Sequence, residues 1–513
     1  MDVTTAMRRA AAFFADREAV VHGNDRLTFA QTWERGCRLA NGLIGLGLKP
    51  GDRVAVLEGN SKEAADFFLG AGIANLVRVP LYPRNSADAH LHMVEHTGCR
   101  ALIVAGNHAD EVADFKHRLP SLEHLMVRDQ SYECWLAAQS PIDPMLKISP
   151  EDNYIIRHTG GTIGRSKGVA FTHRAWLACG RDWFYNYPPV EPGDRCLHLG
   201  PISHGSGYLF VPIWVWGGCN VMLDRFEASA AVEIMERERI GYLFAVPTMV
   251  NAMNHEPTVR GRDWSKLKCM LIAAAPISEA TALTAREIFG ESCLHQGYGQ
   301  TEALLLSFMG PRQWFTQVEG SNPLRSCGLV MPWADLEIWD EQNRPLPLGQ
   351  PGQIVARVDG QMTGFWNDPQ GTRERMVDGW VLTGDIGMID KNGYLYLLDR
   401  AADMIISGGF NIWPTELENA IATHPAVMEV AVFGIPEPRW GETPCAVVVP
   451  KSGRTIDVAE VVQLCAEQLG SYKKPGRVVV RDEPLPKTPV GKIKRRELRE
   501  PFWVGHARRV AGS

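Results

Sequence analysis

The sequence predicts an α/β fold: parallel αβ sheets and a small β-barrel in a large N-terminal part, then a small α+β C-terminal domain. Three observations carry that prediction. Helical periodicity alternates with short apolar runs from residue 28 to about 274. Near residue 325 the texture changes to short strands and tight turns. After Asp399-Arg400 a compact tail begins, which divides the 513 residues into an N-terminal domain, 1–399, and a C-terminal domain, 403–513.

Trp33, Cys37, Ala40 and Ile44 recur at helical intervals, so this segment is a helix with an inward apolar stripe. The turn Pro50-Gly51-Asp52 follows, and Arg53-Val54-Ala55-Val56-Leu57 reads as a buried strand. A helix over about 61–73 leads to a strand at 77–81, and Ala101-Leu102-Ile103-Val104 makes the next. Further strands are expected at 153–157, 195–199, 219–223, 241–246 and 268–274. Beyond 325, the turns Asp359-Gly360 and Lys391-Asn392-Gly393 separate shorter strands, the pattern of a barrel or small mixed sheet. The tail reads as helix 414–423, strands 428–434 and 444–450, helix 457–468 and strand 477–481. The Pro/Gly-rich segment 484–491 then enters a basic helix.

Fifty-three Lys and Arg against 59 Asp and Glu give a net charge of −6, which argues against nucleic acid as the partner. The local basic run Lys492, Lys494, Arg495, Arg496 and Arg499 reads as a solvated helix. Eleven cysteines, an odd number with no Cys-x-x-Cys pair, point to reduced thiols in a cytoplasmic protein. Asp16 and Arg17 cut short the apolar run Ala10–Ala15, leaving no export signal. Pro212, Gly217 and Gly218 break the apolar stretch 207–223, so no transmembrane segment is expected.

The strongest local feature is His158-Thr159-Gly160-Gly161-Thr162-Ile163-Gly164-Arg165-Ser166-Lys167-Gly168, directly after a strand. Glycines open backbone N–H groups to an anion, Thr159 and Thr162 add hydroxyl donors, and Lys167 adds charge. It is not a Walker A loop, since Ser166 precedes the lysine and Gly168 follows it. Gly297-Tyr298-Gly299-Gln300-Thr301-Glu302 gathers an aromatic face, a hydroxyl and a carboxylate. Gly384-Asp385 after Thr383 offers a carboxylate able to bridge two ribose hydroxyls. Lys487-Thr488-Pro489-Val490-Gly491-Lys492 sets a lysine in a Gly/Pro loop.

In this order the motifs resemble the adenylate-forming superfamily, in its acyl-CoA synthetase branch, over essentially the whole chain. Residues 159–168 match its phosphate loop in part, Tyr298–Glu302 its Tyr-Gly-x-Thr-Glu and Thr383–Asp385 its Thr-Gly-Asp. Asp399 to Glu416 match the hinge and following loop, and Gly491-Lys492 the last motif. The resemblance implies an acid–thiol ligase: a hydrophobic carboxylic acid and ATP give acyl-AMP and pyrophosphate, and CoA then displaces AMP.

By that resemblance Lys492 stabilises charge during adenylation, Thr301 contacts the α-phosphate, and Glu302 with Thr162 holds Mg²⁺. Tyr298, with Gly297 and Gly299 beside it, stacks on adenine, and Asp385 and Arg400 hold the ribose. Ala273-Ala274-Ala275-Pro276 stands for the family's Gly-Gly-Ala-Pro adenine and acyl loop. His204 matches the position that gates the acyl pocket. Rotation of a mobile C-terminal domain about the hinge 400–402 exchanges Lys492 for Ser407-Gly408-Gly409-Phe410, whose glycines pass the pantetheine arm.

The chain departs from the family at the phosphate loop, where Gly160 replaces Ser, Ile163 the second Thr and Ser166 the Pro, and at the hinge, where Ala402 replaces Asp or Lys. Two missing hydroxyl donors, each worth about 0.5–3 kcal/mol, predict weaker ATP handling. That leaves two alternatives open: a ligase that works chiefly on a preformed acyl-adenylate from a separate adenylating enzyme, and a non-catalytic acyl-nucleotide-binding protein. His92-Met93-Val94-Glu95-His96 fits one zinc-peptidase spacing, with His90 nearby, but reads as a solvated helix face. Tyr208, Phe210, Trp214 and Trp216, with Ala303-Leu304-Leu305-Leu306, suggest an apolar acid pocket.

Overall fold

The computed structural model describes residues 1–159, 166–400, 403–407, 410–488 and 491–504, without the side chains of Asp399, Arg400, Phe410 and Asn411. Two predominantly parallel sheets make the N-terminal part. The nine-stranded sheet runs in the order Leu329–Val330, Ala303–Met309, Leu294–Gln300, Cys269–Ile272, Tyr242–Ala245, Arg195–His198, Cys219–Met222, Glu18–His22, Asp25–Thr28. Its six central strands are parallel, and antiparallel strands finish both edges. The seven-stranded sheet runs Gly364–Phe365, Gly168–Thr172, Asn153–His158, Val77–Pro80, Arg53–Leu57, Ala101–Ala105, His124–Arg128. It is parallel from Asn153–His158 onward.

Helices between the strands bury the apolar stripes that the periodicity announced. Phe29–Gly45 starts at Thr28, whose hydroxyl accepts from Gln31 N while the Gln31 side chain accepts from Thr28 N, a closed capping box. It buries Phe29, Cys37, Leu39, Ala40 and Leu43 in one cluster with Phe67 and Phe68 of Lys62–Ile73 and with Trp214. Such strand–helix alternation brings the loops after parallel strands to one edge, where ligands of open α/β sheets bind.

The segment expected to be a barrel is a five-stranded antiparallel sheet: Asp335–Trp339, Gly352–Arg357, Trp380–Ile389 and Met376–Val377 in order, with Leu395–Arg400 also on Trp380–Ile389. No pairing closes it among the described residues. After it comes a separate sheet, in the order Phe410–Ile412, Ile405–Ser407, Gly441–Pro450, Val427–Glu437, with Arg477–Val480 parallel to Gly441–Pro450. Helices Pro414–Ala422 and Val458–Leu469 cover one face and share its core. The basic helix is a single short piece, Arg495–Arg499. Among the described residues no helix is long and apolar enough to cross a membrane.

Candidate active site

Four loops meet where parallel strands of the nine-stranded sheet end. Arg195–His198 leads to Pro201-Ile202-Ser203-His204, Tyr242–Ala245 to Val246-Pro247-Thr248, Cys269–Ile272 to Ala273-Ala274-Ala275-Pro276, and Leu294–Gln300 to Thr301-Glu302. Ala274 takes φ +72°, the left-handed region a Cβ disfavours and glycine enters freely. Ala274 and Ala275 are half-buried, and Pro276 is exposed.

Asp385 is the hub of the nucleotide motifs. Its Oδ2 accepts from the Tyr298 hydroxyl at 2.8 Å and from Gln300 Nε2 at 2.5 Å. Burial, reinforced by the Asp385 charge, pushes the Tyr298 hydroxyl well above the usual range, so it stays a donor. The Tyr298 ring packs among Ala303, Leu306, Ile338 and Ile354. Gly384 turns the chain into Asp385 at φ +70°. Thr301 is half-buried, and Glu302 is buried with Oε1 3.5 Å from Arg375 Nη2. The same Nη2 donates to Gln300 Oε1 at 3.0 Å and to the Thr383 carbonyl at 2.8 Å, clasping two motifs together. Sequence reasoning gave no role to Gln300, the variable position of its motif, and missed Arg375, which belongs to no recognisable spacing.

Of the phosphate loop, Gly160, Gly161, Thr162, Ile163 and Gly164 lie outside the described residues, as do Ala402, Gly408 and Gly409 and the side chains of Arg400 and Phe410. Its base is described. Thr159 N donates to the Lys167 carbonyl at 3.0 Å. Lys167 Nζ pairs with Asp368 at 2.9 Å, which holds that carboxyl below the usual carboxylate range. Strands Ile405–Ser407 and Phe410–Ile412 pair as a hairpin around the expected pantetheine glycines.

The lysine loop docks onto the N-terminal part. Thr248 Oγ1 donates to the Gly491 carbonyl at 3.1 Å. Gly491 has φ +83°, and a Cβ there would stand 2.9 Å from Val246 Cγ2 and 3.0 Å from Thr248 Oγ1. Lys492 N donates to Thr488 Oγ1 at 3.1 Å, and the Lys487 ammonium pairs with Glu429, which ties the loop to its own sheet. This brings the Lys492 charge to His204, whose imidazole is pushed down to about 3, chiefly by burial and then by that charge. Arg157 Nη2 lies 3.0 Å from His204 Nδ1, and the Tyr82 ring packs edge-on at 4.8 Å.

The apolar pocket expected from the sequence is only partly where it was placed. Trp214 is core, stacked with Phe210, packed on Phe29 with the rings tilted, and donating its Nε1–H to the Met7 carbonyl. Trp216 is 50% exposed and Phe210 packs on Phe68. Ala303 and Leu306 are buried in the five-stranded sheet's cluster, whereas Leu304, Leu305 and Tyr208 are only partly covered. The 3-10 turn Gly205–Tyr208 precedes the short helix Phe210–Val215, which buries Phe210 and Trp214 on one face and ends before Trp216. A groove of about 780 Å³ beside the strands Leu294–Gln300 and Ala303–Met309, lined by Tyr185, His295, Phe308 and Met331, contains none of the motif residues.

The helix Ala87–Thr97 also differs from expectation. His90 is buried between Glu111 and the Tyr82 carbonyl, and His92 bonds the Ser166 carbonyl at 3.2 Å, so the face supports the phosphate loop's base. Among the described residues no group of three or more His, Cys, Asp or Glu side chains is arranged to hold a metal.

The AMP-binding enzyme profile matches residues 7–366, and the AMP-binding enzyme C-terminal domain profile matches 416–492. The chain belongs to the AMP-binding enzyme family. Within the adenylate-forming superfamily it stands in the acyl-CoA synthetase branch, and it is an AMP-forming acid–thiol ligase. A feruloyl-CoA synthase of Amycolatopsis sp is 34% identical over 94% of this chain and 96% of its own. The medium/long-chain-fatty-acid–CoA ligase FadD8 of Mycobacterium tuberculosis is 32% identical over 95% and 88%. The crystal structure of an anthranilate CoA ligase, AuaEII, with anthranoyl-AMP superposes with a TM-score of 0.91 over 98% of both chains at 24% identity, which shows the AMP-binding enzyme fold.

Proposed function

We propose that this AMP-binding enzyme activates a bulky hydrophobic carboxylic acid, of the aryl, alicyclic or fatty class, and passes the acyl group to CoA. In the first half-reaction a carboxylate oxygen attacks the α-phosphorus of ATP and pyrophosphate leaves. In the second, the CoA sulfur attacks the acyl carbonyl, its proton goes to solvent, and AMP leaves. The observation that carries this reading is the docking of Gly491-Lys492 onto Val246-Pro247-Thr248, which puts the Lys492 charge within electrostatic reach of His204.

Lys492 offsets the charge that builds between carboxylate and α-phosphate. Thr301 donates to the α-phosphate, Asp385 and Arg400 hold the ribose, and Tyr298 with the Ala274-Ala275-Pro276 loop bounds the adenine. Thr159, Gly160, Gly161, Gly164 and Lys167 cradle the outer phosphates. The Glu302 carboxylate, whose described partner is one long 3.5 Å contact, fits a hard cation, and with Thr162 it would hold Mg²⁺. Bound there, Mg²⁺ screens the phosphate charge. Segment 400–402 hinges a C-terminal domain, 403–513, on an N-terminal domain, 1–399, so that Gly408, Gly409 and Phe410 replace Lys492 for the thiol step. Eleven free cysteines, ten of them buried, suit a reducing cytoplasmic setting.

End-to-end likeness to ligases favours the complete reaction over the preformed-adenylate and non-catalytic alternatives, and nothing in it calls for a separate adenylating enzyme. The test is a panel of carboxylic acids assayed for acid-dependent pyrophosphate release with ATP and Mg²⁺, then for CoA thioester. Each acid is also supplied as its synthetic adenylate. Pyrophosphate release followed by thioester with a bulky acid supports the proposal. Thioester from the adenylates alone would reinstate the adenylation-impaired alternative.

A further inference from the structure

Arg157 is the fifth residue of the strand Asn153–His158, and its side chain is 2% exposed. Among the described residues no carboxylate pairs with it. Nη2 reaches His204 Nδ1 at 3.0 Å and the Ser203 carbonyl at 3.5 Å, while Nη1 is buried without a partner. The guanidinium lies 4.2 Å from the centre of the Tyr208 ring and 5.8 Å from that of Trp176. A buried, unpaired cation costs several kcal/mol, of which ring contacts return only about 2. A placement this costly that makes one directed bond to another side chain marks that bond as its purpose.

A guanidinium has donors and no acceptor, so the imidazole nitrogen facing it is the one without a proton. His204 Nδ1 therefore carries the lone pair, and the neutral ring has its proton on Nε2. We propose that Arg157 is a positioning residue: through Nδ1 it fixes His204 as the neutral Nε2–H form while the acyl group is made and passed on. The inference rests on the reading that His204 stands at the acyl site. In this form His204 donates a hydrogen bond to a carboxyl or acyl oxygen and has no free lone pair to take the thiol proton.

The groups around the ring agree. Lys492 from the C-terminal loop and Arg157 from the strand are both cationic, Tyr82 packs edge-on, and Tyr208, whose burial raises its hydroxyl, covers Arg157 from behind. Glu302 is felt only as far as Tyr208. Once Lys492 swings away in the proposed rotation, Arg157 is the remaining cation holding the second proton off His204.

The experiment measures synthetic acyl-AMP plus CoA from about pH 5.5 to 9 with wild type, Arg157→Gln, Arg157→Lys, His204→Asn and the Arg157→Gln/His204→Asn double variant. Wild type is expected to show no ionisation near 6–7. Arg157→Gln should lose about 10- to 100-fold in kcat with little change in KM for CoA, and gain at the low end of the pH range an acid limb that wild type lacks, below the ordinary histidine value because the burial of the ring remains. Arg157→Lys, which restores charge and donor, should return a flat profile. The double variant should be no slower than His204→Asn. An Arg157→Gln enzyme with the wild-type profile, or losses that simply add in the double variant, overturns the inference. If His204→Asn leaves both half-reactions unchanged, the assignment of His204 itself fails and the inference with it. If Arg157→Gln does not fold, Arg157→Lys decides: a tenfold loss with an acid limb, despite a native fold, refutes the charge-and-donor role.

Discussion

Replacing Gly491 by alanine should slow adenylation while sparing thioester formation. Three features of the docked loop set the magnitude. A Cβ at 491 would meet Val246 Cγ2 at 2.9 Å and Thr248 Oγ1 at 3.0 Å, both inside ordinary contact distance. Val246 is 4% exposed and has nowhere to retreat, so the overlap costs about 1–3 kcal/mol in the docked state. Displacing the loop also breaks the 3.1 Å bond from Thr248 to the Gly491 carbonyl, about 0.5–1.5 kcal/mol. Together these give about 1.5–4.5 kcal/mol, or roughly 10- to 1,600-fold at about 1.4 kcal/mol per decade. The third feature, φ +83°, strains alanine wherever the loop goes, so it lowers stability without choosing between half-reactions. Acid-dependent ATP–pyrophosphate exchange reads the first half-reaction, and acyl-AMP with CoA reads the second. Equal losses in both assays would refute the reasoning, since docking on Val246-Pro247-Thr248 would then not be specific to adenylation.

Lys492→Ala should lower adenylation by about 10²–10³ and leave acyl-AMP turnover within a few-fold, checked by the same two assays. Tyr298→Phe removes one of the described donors to Asp385; at about 1.5–3 kcal/mol for a charged acceptor, KM for ATP should rise roughly 10- to 100-fold, read from exchange kinetics. Stability should fall as pH drops from 6.5 toward 4. Burial depresses His158 to about 3 and His173 and His198 to about 4, so the unfolded chain binds protons that the folded one refuses. Their contribution is complete above the unfolded value and disappears as pH falls through the folded values, each worth about 1.4 kcal/mol per pH unit in between. Thermal melts at pH 7.5 and 5 check this, and an unchanged Tm contradicts it.

The fold was legible where burial enforces a period. Arg53–Leu57 is predicted to the residue because both faces of a parallel strand are covered and the apolar run has no other use. Strands at 153, 195, 219, 242 and 269 follow the same logic to within two residues. The motif order was equally legible, since glycine turns and the acids beside them cannot be displaced along the chain without losing the turn. Two kinds of information were not. The aromatics of 208–216 looked like one pocket from their clustering in sequence alone, whereas Trp214 lies in the core on the helix Phe210–Val215 and Trp216, past its end, is at the surface. Arg157 and Arg375 were invisible because neither belongs to a spacing rule and the side chains they meet, His204 for the first and Gln300 and Glu302 for the second, lie 47, 75 and 73 residues away.

The contact that brings Lys492 toward His204 includes, among the described residues, a neutral hydrogen bond from Thr248 and the close backbone approach that only glycine permits at 491. By contrast, the loop is fastened to its own sheet by the Lys487–Glu429 ion pair and by Leu485, buried in that sheet's second cluster. This fastening lets the loop leave the N-terminal part as a unit without unfolding, and the Thr248 bond contributes about 0.5–1.5 kcal/mol to holding it there. A stronger dock would raise the occupancy of Lys492 for adenylation and slow its departure before the thiol step. The missing side chain at 491 and the bond from Thr248 therefore bear on the balance between the two half-reactions, which strengthening the dock should tilt as measurably as breaking it.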